Sequence, residues 1–221
     1  MNRLFIHIPK NAGMSIRHGL RGRIQVAGEG VHKSKEYTDA VRAHMKSRNE
    51  HHGFEHARWR DVRPGFTASV PAFAVIRNPW ARVASRYFFG LQVAKQGKPE
   101  SKNYTFRTFD EFLDERHLWG EEPYYWHRAT RGWYPQLDYV TDEGGTDIKC
   151  DILRCEHLAE DLKALTGWEL PPRPRNVTET KVPYQELYDY EQRKVVADWY
   201  QEDVEVFGFR FEGAATRNAI G

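Results

Sequence analysis

Twice in its first half the chain runs through a short apolar stretch, stops on loop-forming residues and passes directly into a helical pattern. The first stretch, Arg3 to Ile8, reads as a buried strand. It meets Pro9-Lys10-Asn11-Ala12-Gly13-Met14-Ser15 and then a short helix toward Leu20. The second, Ala72 to Ile76, is continuously apolar, as expected of a strand covered on both faces. Arg77-Asn78-Pro79 follows it, with Asn78 suited to an N-cap and Pro79 to the first helical position. A helix is expected from Trp80 to Val93, with Val83, Tyr87 and Leu91 on one apolar stripe. Weaker signals place helices at Tyr37 to Lys46 and Asp110 to Leu118, and a third strand at Lys149 to Arg154. Leu158, Leu162 and Leu165 mark a further helix that Gly167 ends. A last helix runs from Tyr190 to Phe207, with Val196, Tyr200 and Val204 inward and Gly208 as its stop. Repeated strand–loop–helix units predict an α/β fold: a central, mainly parallel sheet flanked by helices. Ligands of such sheets bind at the carboxyl ends of the strands.

The chain has 221 residues, which predicts a single domain over 1–221 with a substantial core. Its formal net charge of +2 nearly balances, so no nucleic-acid partner is expected. The two cysteines, Cys150 and Cys155, sit five residues apart on the predicted third strand. That spacing puts them on opposite faces, roughly 16 Å apart, too far for a disulfide, which needs Cα atoms within about 7 Å. Two free thiols suit a reducing compartment. The first apolar run is far shorter than the ~20 residues that cross a bilayer. The expectation is a soluble, cytoplasmic protein with no transmembrane anchor.

Both loops have the makings of anion sites. The loop Pro9 to Ser15 leaves a strand and opens a helix, so its backbone N–H groups lack helical partners. The helix dipole and Lys10 add positive potential. The order differs from a Walker A loop, in which Gly-Lys-Ser/Thr comes last; here Lys10 precedes Gly13. At the second loop Arg77 offers forked donors, and Ser85, six residues along the helix from Pro79, offers a hydroxyl. The two suit a phosphate monoester, and Arg82 shares that helix face. Taken singly, each loop reads equally well as an ordinary turn: a surface lysine in the first, an arginine paired with a carboxylate in the second.

Taken together they are more specific. Phe5-Ile6-His7-Ile8-Pro9-Lys10-Asn11-Ala12-Gly13-Met14-Ser15 resembles the 5′-phosphosulfate loop of the membrane-type carbohydrate sulfotransferases. Phe73-Ala74-Val75-Ile76-Arg77-Asn78-Pro79-Trp80-Ala81-Arg82-Val83-Ala84-Ser85-Arg86-Tyr87 resembles their 3′-phosphate motif. Gln136 to Val140, Arg154 to Leu162 and Tyr184 to Phe211 resemble later parts of the family that holds the chondroitin, dermatan and heparan 2-O-sulfotransferases. The resemblance implies a P-loop NTPase-like sulfotransferase fold and 3′-phosphoadenosine-5′-phosphosulfate (PAPS) as donor, leaving PAP as product. It implies that Lys10 and the residues Pro9, Asn11, Ala12, Gly13, Met14 and Ser15 hold the phosphosulfate, and that Arg77 and Ser85 hold the 3′-phosphate. Where family members often carry Thr, this chain has Asn11 and Met14, and the Met14 side chain cannot donate a hydrogen bond.

Transfer to a hydroxyl needs a base and a cation at the leaving phosphate, and Lys10 fits the second role. For the base the resemblance favours His56 in Gly53-Phe54-Glu55-His56-Ala57-Arg58, and imidazole suits the task because its ordinary pKa is near 6.5. Glu55 is the reserve candidate, and His7 is expected to pack beside the loop. No metal spacing stands out. The implied acceptor is a hydroxyl, with a saccharide favoured. The basic stretch Arg21 to Arg63 either binds an acidic saccharide or is solvated surface. Trp119, Tyr124, Tyr125, Trp126, Trp133 and Tyr134 either stack on sugars or belong to the core. Two rival functions are a PAPS- or nucleotide-binding protein without catalysis and a P-loop-type kinase.

Overall fold

The computed structural model describes residues 3–28, 30–97, 104–118, 132–171 and 182–220. Four strands, β1 (Arg3–Ile6), β2 (Ile24–Val26), β3 (Ala72–Ile76) and β4 (Asp151–Arg154), form one all-parallel sheet in the order β2-β1-β3-β4. The helices are α1 (Gly13–Gly19), α2 (Lys35–Ser47), α3 (Pro64–Thr67), α4 (Pro79–Lys95), α5 (Phe109–Leu118), α6 (Leu137–Val140), α7 (Leu158–Thr166), α8 (Tyr190–Trp199) and α9 (Gln201–Phe207). The α/β architecture with a parallel sheet flanked by helices is as expected.

Side-chain alternation divides the core into two. Leu4, Ile6, Ala74, Ile76 and Ile152 join the larger cluster, with α4, α5 and α8. Phe5, Phe73, Val75 and Leu153 face the smaller one, against Ile16 of α1, Leu20 just past its end and Leu162 of α7. Both faces are thus covered, which is why β3 is buried at every residue. β1 and β3 are neighbours, with Ile6 beside Ala74. The loops after them therefore emerge side by side at the same edge of the sheet.

Several boundaries differ from the sequence expectation. β1 stops at Ile6, not Ile8. β2 lies within the stretch read as polar surface; its three residues are too few for a period to register. β4 begins at Asp151, leaving Cys150 and Cys155 at its two ends. These cysteines are free, and each packs against a different one of the two core clusters. The expected last helix is two helices, because Tyr200 leaves helical geometry at φ −115° and ψ 30°. Beyond that break α9 carries Asp203 into the interior. Among the described residues no helix is long and apolar enough to cross a membrane.

Candidate active site

The loop after β1 has an unusual backbone. Lys10 (φ 70°) and Ala12 (φ 58°) both lie in the left-handed region, on either side of Asn11. Neither residue is a glycine, so each position is strained by about 1–2 kcal/mol. Two arginines from the second unit hold this shape. Arg82 Nε donates to the Pro9 carbonyl at 3.1 Å, and Arg77 Nη1 donates to the Lys10 carbonyl at 3.3 Å. In a planar trans peptide the C=O and the next N–H point in opposite directions. The N–H groups of Lys10 and Asn11 are therefore turned away from the arginines that hold their carbonyl partners. α1 then starts with no side-chain cap. Ser15 N already donates to the Ala12 carbonyl at 3.0 Å, which leaves the N–H groups of Gly13 and Met14 as those that could meet an anion.

Gly13 is required by a close approach. A Cβ there would sit 1.8 Å from Nε2 of His7, whose imidazole is buried against the loop as the sequence suggested. Lys10 extends over the Phe89 ring, with Nζ 4.0 Å from its centroid. Burial of the ammonium, helped by the nearby Arg77 and Arg86 guanidiniums, lowers its pKa to about 7. A lysine held in this way gains from any anion that joins it.

The loop after β3 is built differently. Asn78 caps α4 through its side-chain oxygen, which accepts from Trp80 N (3.1 Å) and Ala81 N (3.3 Å), and Pro79 follows at the helix start. The other end of the amide donates to the carbonyls of Arg210 (2.8 Å) and Gly213 (2.9 Å), tying the carboxyl-terminal segment to the site. Half-buried Arg77 stands at the end of β3, and half-buried Ser85 lies along α4.

Gln136 joins the two loops, a role its place in the sequence did not announce. It is fully buried. Its Oε1 accepts from Asn11 Nδ2 (2.6 Å) and from Arg77 N (2.8 Å), while its Nε2 donates to the Arg77 carbonyl (2.8 Å). Its backbone N–H donates to Asp203, whose carboxylate also accepts from Leu137 N. Burial raises the pKa of Asp203, and these hydrogen bonds pull it back down. Asn11 Nδ2 also donates to the Val75 carbonyl at 2.8 Å. The Asn11 Nδ2 is thus committed to holding the loop, while its Oδ1 is buried without a hydrogen-bond partner.

His56 sits in a one-turn helix after Gly53, which has φ 70°. It is 8% exposed, and its ring centroid lies 4.2 Å from that of His7. Nδ1 is 2.8 Å from the His7 carbonyl oxygen. A carbonyl can only accept, so Nδ1 carries the proton and Nε2 of the neutral ring keeps its lone pair. That is the tautomer a general base needs. Glu55 Oε1 lies 3.7 Å from this Nε2.

The structure thus gathers Lys10, the loop backbone from Pro9 to Ser15 and Arg77 around the ends of β1 and β3, and His56 joins them through the carbonyl of His7, two residues before the loop. Met14, 43% exposed, turns its side chain outward. Trp133 is core, packed on Phe112 and Trp199. Trp119, Tyr124, Tyr125 and Trp126 lie outside the described residues. Much of the basic stretch is paired: Lys33 with Glu143 at 2.9 Å, Lys35 with Asp39 at 2.6 Å, and Arg42 with Asp39 at 3.4 Å. That favours the solvated-surface reading of these residues. Burial pushes the Cys155 thiol up to about 11, against the pull of Arg77, so it is no nucleophile at neutral pH.

No curated protein and no solved structure matches the chain. The sequence model of the sulfotransferase family, by contrast, matches residues 3–210. With two adjacent strand ends that open onto an anion cradle and its cations, the chain belongs to the sulfotransferase family.

Proposed function

We propose that a single domain spanning the chain transfers the sulfuryl group of PAPS to a hydroxyl of a carbohydrate by in-line displacement. The observation that carries this reading is the bond from Arg77 Nη1 to the Lys10 carbonyl, 3.3 Å long. It joins the loop suited to a phosphosulfate to the residue suited to a 3′-phosphate, and one nucleotide with phosphates at both positions would bridge them. The residues fit such a group. The left-handed turns at Lys10 and Ala12 leave N–H groups open, and Lys10 is a buried cation beside the guanidiniums of Arg77 and Arg86.

When bound, PAPS supplies a sulfuryl group on an activated phosphate. The backbone from Asn11 to Ser15 and Lys10 hold the 5′ side, and Arg77 and Ser85 hold the 3′-phosphate. His56 accepts the acceptor's proton at Nε2, the nitrogen left unprotonated in the neutral ring because Nδ1–H is bound to the His7 carbonyl. The Lys10 ammonium meets the charge that builds on the leaving phosphate oxygen. The carbohydrate acceptor rests on the resemblance of the two motifs to carbohydrate sulfotransferases.

Calorimetry with PAP, in the absence of magnesium, tests the donor site. The wild type is expected to bind, and Arg77→Ala to bind more weakly by about 1.5–3 kcal/mol, the worth of a charge-assisted contact. A folded wild type that ignores PAP but binds a nucleoside triphosphate with magnesium would favour the kinase. PAP binding without turnover across a panel of hydroxyl acceptors would favour the non-catalytic binder.

A further inference from the structure

Beside the candidate base lies a second constellation that sulfuryl transfer does not use. His51, His52 and Glu55 each bring a ligand atom to within 4.8 Å of the others. Spacing alone did not mark them as a metal site. They converge because Gly53 turns the chain through the left-handed region and a one-turn helix follows at once. The two imidazoles are oriented in advance. His51 Nδ1 accepts from Gly53 N and His52 Nδ1 from Phe54 N, each at 3.2 Å. The rings lie 4.3 Å apart, and His52 also stacks on Phe54 at 4.4 Å. Glu55 is mostly covered, with its Oε1 3.7 Å from His51 Nδ1 and 3.7 Å from His56 Nε2.

We infer that His51, His52 and Glu55 bind a divalent transition ion of the zinc type. Two imidazole nitrogens and one carboxylate oxygen are a borderline-soft donor set. Such a set selects zinc, cobalt or nickel over magnesium or calcium. Three protein ligands leave a further position for water. Either ring nitrogen can take the ion only by giving up a backbone N–H bond to Nδ1. The donors of those bonds belong to the buried residues Gly53 and Phe54, so giving them up costs part of the binding energy and the affinity is modest.

The test uses zinc and cobalt ions on the full chain, with calorimetry and the visible absorption of bound cobalt as readouts. The wild type is expected to take a single zinc ion and to show cobalt bands that zinc displaces and magnesium does not. The double variant His51→Ala/His52→Ala, altered on an accessible turn, should lose at least about tenfold in affinity. His18→Ala, which alters an exposed histidine on α1, should bind as the wild type does. Unchanged zinc binding in the double variant overturns the site, as does the absence of zinc heat and cobalt bands in the wild type.

Discussion

The two strand–loop–helix units at the heart of the molecule use the same local architecture in opposite ways. After β3 the helix start is closed. Asn78 satisfies the N–H groups of Trp80 and Ala81, and Pro79 has none to satisfy. That end offers a ligand only the side chains around it. After β1 the helix start is open. There is no side-chain cap, Lys10 and Ala12 are left-handed, and arginines of the other unit hold the Pro9 and Lys10 carbonyls. The difference teaches a division of labour: the capped unit supplies rigidity and fixed charge, and the uncapped one leaves backbone donors open, which under the proposed function meet the phosphosulfate.

The sharpest way to break this comparison is to remove the cation of the open unit. Lys10→Ala should lower the transfer rate by about 10²–10³-fold, as loss of a group that stabilises developing charge does. Single-turnover rates with saturating PAPS check it, and a loss below tenfold would mean that Lys10 is not at the leaving oxygen. Next is the close approach that shapes the open loop. Gly13→Ala drives a Cβ into His7 and should cost about 1–3 kcal/mol in chemical unfolding. It should also weaken PAP binding, because the loop has to shift. Asn78→Ala, in the closed unit, should cost about 1–2 kcal/mol of stability through the lost cap. Its PAP affinity should stay near that of the wild type. A large loss of affinity there would show that the two units do not divide the work as described.

The smallest effect is a slope with pH. The pKa of Lys10 is lowered to about 7 in the free protein, and a bound anion raises it again. PAP affinity should therefore fall as pH rises above about 7, and Lys10→Gln should flatten that dependence. In the free protein the sign for stability is the reverse. Between about 7 and the ordinary lysine value of 10.5 the unfolded chain holds a proton that the folded chain has lost. Stability from this group thus rises with pH across that window. Thermal unfolding of wild type and Lys10→Gln, with and without PAP, separates the two.

Short-range signals carried much of this through the sequence alone. The apolar run Ala72–Ile76, the Asn78-Pro79 helix start and the stops at Gly167 and Gly208 were all legible, and both glycines are left-handed as a helix stop requires. These features depend on residues within a turn or two of each other, so the order of residues suffices to state them. The loop from Pro9 to Ser15 was likewise visible as a strand-to-helix turn. What the sequence left open depends on contacts between distant segments. Gln136 reaches Asn11 across 125 residues and Arg77 across 59. His56 acquires its tautomer from a carbonyl 49 residues away. The need for glycine at position 13 comes from where the His7 ring is packed, and the break at Tyr200 accompanies the burial of Asp203 beneath Gln136. No periodicity encodes such pairings. They exist only once the sheet sets the ends of β1 and β3 side by side and closes the core around them.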